Sequence, residues 1–156
     1  MQSRESLARE LQDVLHHEIP LSQQIGLVVG EYDGQRLSLR APLAPNINHK
    51  STAFAGSLSA VATLTGWGLT WLLLRERGMR AVIVIQESAS RYRLPVSDDF
   101  VATCRAPSDE QVERFFTVLR QRGKARLALT IDIRTSEGDL AVAFTGSYVA
   151  FLTKAP

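Results

Sequence analysis

A single cysteine, Cys104, stands in the 156-residue chain, which excludes an intramolecular disulfide and the small folds stapled by them. No pattern that would stabilise a thiolate surrounds it, so its expected place is inside a strand. Charge of one sign is equally scarce. Eighteen Lys and Arg against sixteen Asp and Glu leave a formal net charge of +2, and a pI near 9.0 arises without any dense basic block. Nucleic acid is therefore not an expected partner. Histidines number three. Two of them, His16 and His17, are adjacent, and on a helix their side chains diverge by about 100°, so they cannot share a metal. No metal site is indicated. The polar stretch from Met1 to Glu10 does not read as a signal peptide, and with one unpaired cysteine the expected location is the cytoplasm.

The most consequential absence lies in the middle of the chain, where no residue from Ser51 to Leu74 carries a charge. A stretch of that length can cross a bilayer, which needs about 20 apolar residues. Its composition argues otherwise. Ser57, Ser59, Thr63, Thr65 and Thr70, with Gly56, Gly66 and Gly68, make it less hydrophobic than a typical span. A helix apolar on every side also fits the inside of a protein, and no membrane span is expected. The spacing predicts one long helix from about Thr52 to Arg77, ended by Gly78 as a left-handed glycine cap.

The flanks supply what covers it. Leu7, Leu11, Val14 and Leu15 predict a short helix from about Ser6 to Glu18, stopped by Pro20. Ile25 to Tyr32 and Arg36 to Ala41 predict a hairpin turning at Asp33-Gly34. After the long helix, a strand runs from Val82 toward Tyr92, with Phe100 to Arg105 as its partner. Ser108 and Gln111 form a capping box for a helix with Val112, Phe115, Phe116 and Leu119 on one face, closed by Gly123. Leu127, Leu129, Ile131 and Ile133 alternate with polar residues, and Leu140 to Phe151 returns beside them. With 45% hydrophobic residues and no repeat or linker, this reads as one α+β domain over 1–156. Six antiparallel strands wrap the long central helix, with an extra N-terminal helix and another between the second and third strand pairs.

The segment Asn46-Ile47-Asn48-His49-Lys50-Ser51-Thr52-Ala53-Phe54-Ala55-Gly56-Ser57-Leu58, followed by Thr65-Gly66-Trp67-Gly68, resembles the thioesterase-like family of the YiiD C-terminal type. The likeness covers most of the chain, taking in Ile19-Pro20-Leu21 and the more generic Tyr92 to Asp99. It implies a hot-dog fold, assembly as a homodimer or a dimer of dimers, and activity on acyl thioesters, coenzyme A or phosphopantetheine arriving as part of the substrate. No further cofactor is expected.

Thioester hydrolysis needs donors for a developing oxyanion and a group that places water. The first turn of a helix has free amides with partial positive charge, so those of Gly56 and Ser57 are candidates to polarise the carbonyl. Gly56 equally fits close helix packing, and Ser57 a plain cap. Asn46, His49 and Thr63 are candidates to place water, and His49 can also take a proton near neutral pH. Asn48, Phe54, Trp67, Arg91 and Arg93 are candidate substrate contacts, the arginines meeting phosphates. Asn48 also fits a turn residue, and Trp67 with Trp71 a core or tunnel wall. Related enzymes often carry Asp or Glu two turns after the helix glycine. Here that position is Thr63, which cannot act as a general base. Glu87, Asp98 and Asp99 are the substitutes on offer. Without a base, a non-catalytic acyl-thioester binding protein is the alternative, and a hot-dog dehydratase or hydratase meets the same difficulty.

Overall fold

The computed structural model describes residues 1–154, so the last two positions of the expected 1–156 domain lie outside the described residues. Helix α1 (Arg4–Glu18) starts where the Ser3 side chain accepts the Ser6 amide at 3.1 Å, and it buries Leu7, Leu11 and Leu15, one residue per turn. The strand expected from Ile25 begins later. Helix α2 (Leu21–Ile25) intervenes, its end set by Gly26 at φ 75°, while the Ser22 hydroxyl donates to the Leu15 carbonyl at 2.9 Å. Strands β1 (Val28–Tyr32) and β2 (Arg36–Ala41) then form the expected hairpin. In its turn Asp33 Oδ1 accepts the Gln35 and Arg36 amides at 2.8 and 2.7 Å.

A 3₁₀ turn (Ala44–Asn46) leads into helix α3 (Ala55–Glu76), followed by β3 (Ala81–Tyr92), β4 (Phe100–Arg105), helix α4 (Asp109–Arg122), β5 (Lys124–Arg134) and β6 (Leu140–Leu152). The six strands make one sheet in the order β1-β2-β4-β5-β6-β3, every neighbouring pair antiparallel. The expected pairing of β3 with β4 is not made: β3 lies at the sheet edge beside β6, and β4 sits between β2 and β5. The expected capping box of α4 is present, as is its left-handed Gly123. Alternation along β5 is strict: Leu127, Leu129, Ile131 and Ile133 are buried, while Arg126, Thr130 and Arg134 face out.

Helix α3 is the core. By length and composition it could cross a membrane, but 67% of its most apolar window is buried within this chain, and Leu58, Val61, Leu69 and Leu72 pack inside the curled sheet. At Gly66 the ring of the fully buried Tyr148 lies on the helix backbone, and its hydroxyl donates to the Thr63 carbonyl at 2.8 Å. The helix begins at Ala55 rather than at Thr52. Ser51 sits at φ 62°, Ile47 bridges Ala53, and Phe54 is extended, so the chain cannot turn helical before Ala55. Gly78 ends the helix at φ 65°, as expected.

Candidate functional site

The approach to α3 is built by backbone bonds from two other segments. Ala53 donates to Val96 at 2.8 Å and Phe54 to Asn46 at 2.7 Å, fixing the helix start to the 93–97 loop and to the 3₁₀ turn. Asn48 closes the intervening loop: its Oδ1 accepts the Lys50 and Thr52 amides at 2.8 and 3.2 Å, and its Nδ2 donates to Thr52 Oγ1 at 2.9 Å. Asn46 is buried, and its Nδ2 donates to the carbonyls of Ile25 at 2.9 Å and Pro42 at 2.7 Å. Both asparagines are thus spent on shaping the loop.

Phe54 is the N-cap residue and offers no side-chain acceptor. The amides of Ala55, Gly56 and Ser57 therefore have no protein partner among the described residues, and the first intrahelical bond is Leu58 N–H to Phe54 C=O at 3.1 Å. Three unpaired donors at the positive end of a helix form a site for a developing negative charge. Two half-exposed aromatic rings flank them. The ring of Phe54 folds over Gly56, where an added Cβ would stand 2.9 Å from Cζ. From the other side the Tyr92 hydroxyl donates to the Ala55 carbonyl at 3.4 Å. Gly56 thus leaves the amides open to approach and gives the Phe54 ring its seat.

The expected site residues fall into groups. Gly56, Ser57 and Phe54 come together with Tyr92. His49 lies at the exposed tip of the loop, and no described residue bonds its ring. Thr63 is half-buried two turns along α3, its hydroxyl donating to the Ser59 carbonyl at 2.8 Å. Trp67 is also half-buried and donates from Nε1 to the Ile83 carbonyl at 3.1 Å, which turns this stripe of α3 toward β3. With Trp71, Met79 and Ile83 it lines a cavity of about 560 Å³ against α1.

The register of β3 separates the rest. A bulge between Ile85 and Glu87 shifts the alternation, so Ile83, Ile85, Ser88, Ser90 and Tyr92 oppose the inward residues of β6, while Glu87 and Arg91 oppose Ser147 and Ala143 on the outer face. Arg91 consequently stands away from the helix start. Arg93 is exposed on the chain leading into the 93–97 loop. Asp98 accepts the Ser136 hydroxyl at 3.0 Å and Asp99 the Leu43 amide at 2.8 Å, both in loop contacts. No group of three His, Cys, Asp or Glu able to hold a metal occurs among the described residues. Burial pushes the Cys104 thiol up to about 12, with Asp132 adding to the effect, which removes it as a nucleophile. Tyr92, Ser88 and Ser90 were not singled out from the sequence, because their inward orientation depends on the bulge.

Residues 8–152 match the family described as "Putative thioesterase (yiiD_Cterm)". Among solved structures the chain is similar to a Chlorobaculum tepidum protein of unknown function, with 33% identity, 97% of this chain and 98% of that one covered, and a TM-score of 0.93. It is similar to a "putative thioesterase" from Shewanella oneidensis, also at 33% identity, covering 94% and 98% with a TM-score of 0.82. A Haemophilus influenzae thioesterase at 16% identity covers 99% and 94% with a TM-score of 0.72, a likeness of fold alone.

Proposed function

The chain belongs to the thioesterase-like family of the YiiD C-terminal type, and we propose that it hydrolyses acyl thioesters of coenzyme A or of a carrier protein's phosphopantetheine arm. The observation that carries this reading is the uncapped first turn of α3, three free amides flanked by Phe54 and Tyr92. A thioester carbonyl aimed at Gly56 and Ser57 is polarised, water adds to its carbon, and the charge on the oxygen is held by those amides. Collapse breaks the C–S bond. The thiolate takes up the proton that water gave up, and a carboxylic acid remains.

His49, exposed at its loop tip, and the Thr63 hydroxyl place the water, His49 accepting its proton. Asn46 contributes by fixing the loop, its amide protons already given to two carbonyls. Arg93 meets phosphates of the head group. The protein supplies no cofactor of its own in this scheme, so hydrolysis should persist in excess chelator. We further infer a homo-oligomer in the cytoplasm, a dimer or dimer of dimers. Strand β3 is a twelve-residue sheet edge with one side unpaired, and Val82 and Val84 are exposed on it. A monomer by light scattering at micromolar concentration would overturn that part.

A second reading, a non-catalytic acyl-thioester binder, is favoured by the lack of any carboxylate from Ser51 to Leu74. A panel of acyl-coenzyme A substrates separates the two. Turnover above buffer that falls about a hundredfold in His49→Ala supports hydrolysis, since a positioned acid or base contributes that much. Tight binding of a thioether analogue with no turnover by the wild type supports the binder.

A further inference from the structure

Resting on the thioesterase reading, the chemistry of the acyl group can be taken from what lines the strip between α3 and β3. Ser59 and Thr63 are one turn apart on α3, and Trp67 follows one turn later with its indole bonded to Ile83 of β3. Across from them, pairing with the buried β6 residues Gly146, Phe144 and Val142 turns Ser88, Ser90 and Tyr92 toward the helix. The hydroxyls of Ser59, Ser88 and Ser90 have no protein hydrogen-bond partner among the described residues, and all three residues are at least partly exposed. Beyond Trp67 the lining changes to Ile83, Trp71 and Met79, with the charged Glu10, Glu18, Arg75 and Arg80 around the same cavity. The part of the strip next to the free amides is thus hydroxyl-rich, and Trp67 bridges it to the strand about 16 Å along the helix from Gly56.

A saturated chain laid there would cover hydroxyl groups and leave them without partners, which disfavours it. A chain with its own hydroxyl or keto oxygen would satisfy them. We propose that the preferred substrate carries a short polar acyl group, with a hydroxyl or keto group near the thioester carbonyl, bound by Ser88 and Ser90 and limited in length by Trp67.

The test compares thiol release from butyryl-, 3-hydroxybutyryl-, acetoacetyl-, octanoyl- and palmitoyl-coenzyme A. The wild type should favour the hydroxy or keto four-carbon thioester over butyryl by about tenfold or more in kcat/KM, as sites built to hydrogen-bond a substrate group reject analogues lacking it. Ser88→Ala and Ser90→Ala should each bring that ratio toward one, with unchanged melting temperatures. Activity that rises through octanoyl and palmitoyl, or a ratio untouched by both serine variants, overturns the proposal. Should no thioester be hydrolysed, the parent reading fails instead. Affinities for non-hydrolysable thioether analogues of the same acyl groups then decide this one, with the same order supporting it and an apolar preference overturning it.

Discussion

Replacing Gly66 by alanine tests how tightly the sheet grips its central helix. A Cβ at this position would collide with the Tyr148 ring, standing 2.5 Å from its Cε2 and closer still to Cζ and the hydroxyl. Tyr148 is fully buried, so its ring cannot swing into solvent. Relief must come from a shift of helix against sheet and from loss of the hydroxyl bond to Thr63. Overpacking costs about 1–3 kcal/mol, and the lost hydrogen bond about 1 kcal/mol. Better helix propensity returns about 1 kcal/mol. The net is a destabilisation of about 2 kcal/mol, a fall in Tm of about 4–8 °C for a domain of this size. Urea melts of Gly66→Ala, Tyr148→Phe and the double variant measure it, and the two effects should couple because the residues touch. Gly66→Ala as stable as the wild type, or more so, would refute the packing argument.

Asn46→Ala should cost about 2–3 kcal/mol and lower Tm by about 5–10 °C, because the buried bond to the Ile25 carbonyl and the part-buried one to Pro42 lose their shared donor; calorimetry checks it. Cys104, fully buried with its thiol raised, should react with a thiol reagent at pH 8 only as fast as the protein unfolds, followed by absorbance in native buffer and in urea. Asp33 is held below its ordinary 3.8 by the Gln35 and Arg36 amides. Its contribution is therefore present above that value and fades as pH falls through the lowered one. Asp33→Ala should thus destabilise at pH 7 and match the wild type more closely near pH 2, as thermal melts at the two pH values would show.

The fold was legible because its signals are periodic: the leucines of α1, the alternation of β5, and the uncharged run of α3 each name their element. Positions where local geometry breaks the period were not. Simple alternation from Ile83 and Ile85 puts Glu87, Ala89 and Arg91 on the inner face, and one extra residue at the bulge turns Ser88, Ser90 and Tyr92 inward instead. Glu87, one of the substitute bases on offer, and Arg91, a candidate phosphate contact, therefore stand on the outer face. The start of α3 was misplaced at Thr52 because Ser51 and Phe54 depart from helical geometry, which residue type does not announce. In the same stretch, Asn46 looked free to meet a ligand, yet burial commits it to the backbone. Gly56 and Ser57 were candidates because a helix start leaves its first amides without intrahelical partners; that they stay free follows from Phe54 at the N-cap, which has no side-chain acceptor, unlike Ser3 and Ser108 at the starts of α1 and α4.

The bonds that hold the approach to α3 also set how its amide protons trade with solvent. Ala53 and Phe54 are tied to Val96 and Asn46, and Leu58 to Phe54, while Ala55, Gly56 and Ser57 between them have no bond to break. Deuterium should therefore enter those three positions within the dead time of an exchange experiment, between neighbours that hold their protons until the segment opens. Such a sharp step would mean that the open donors sit on a rigid frame. A ligand carbonyl would then erase the step by slowing the three fast sites, without having to order the loop first.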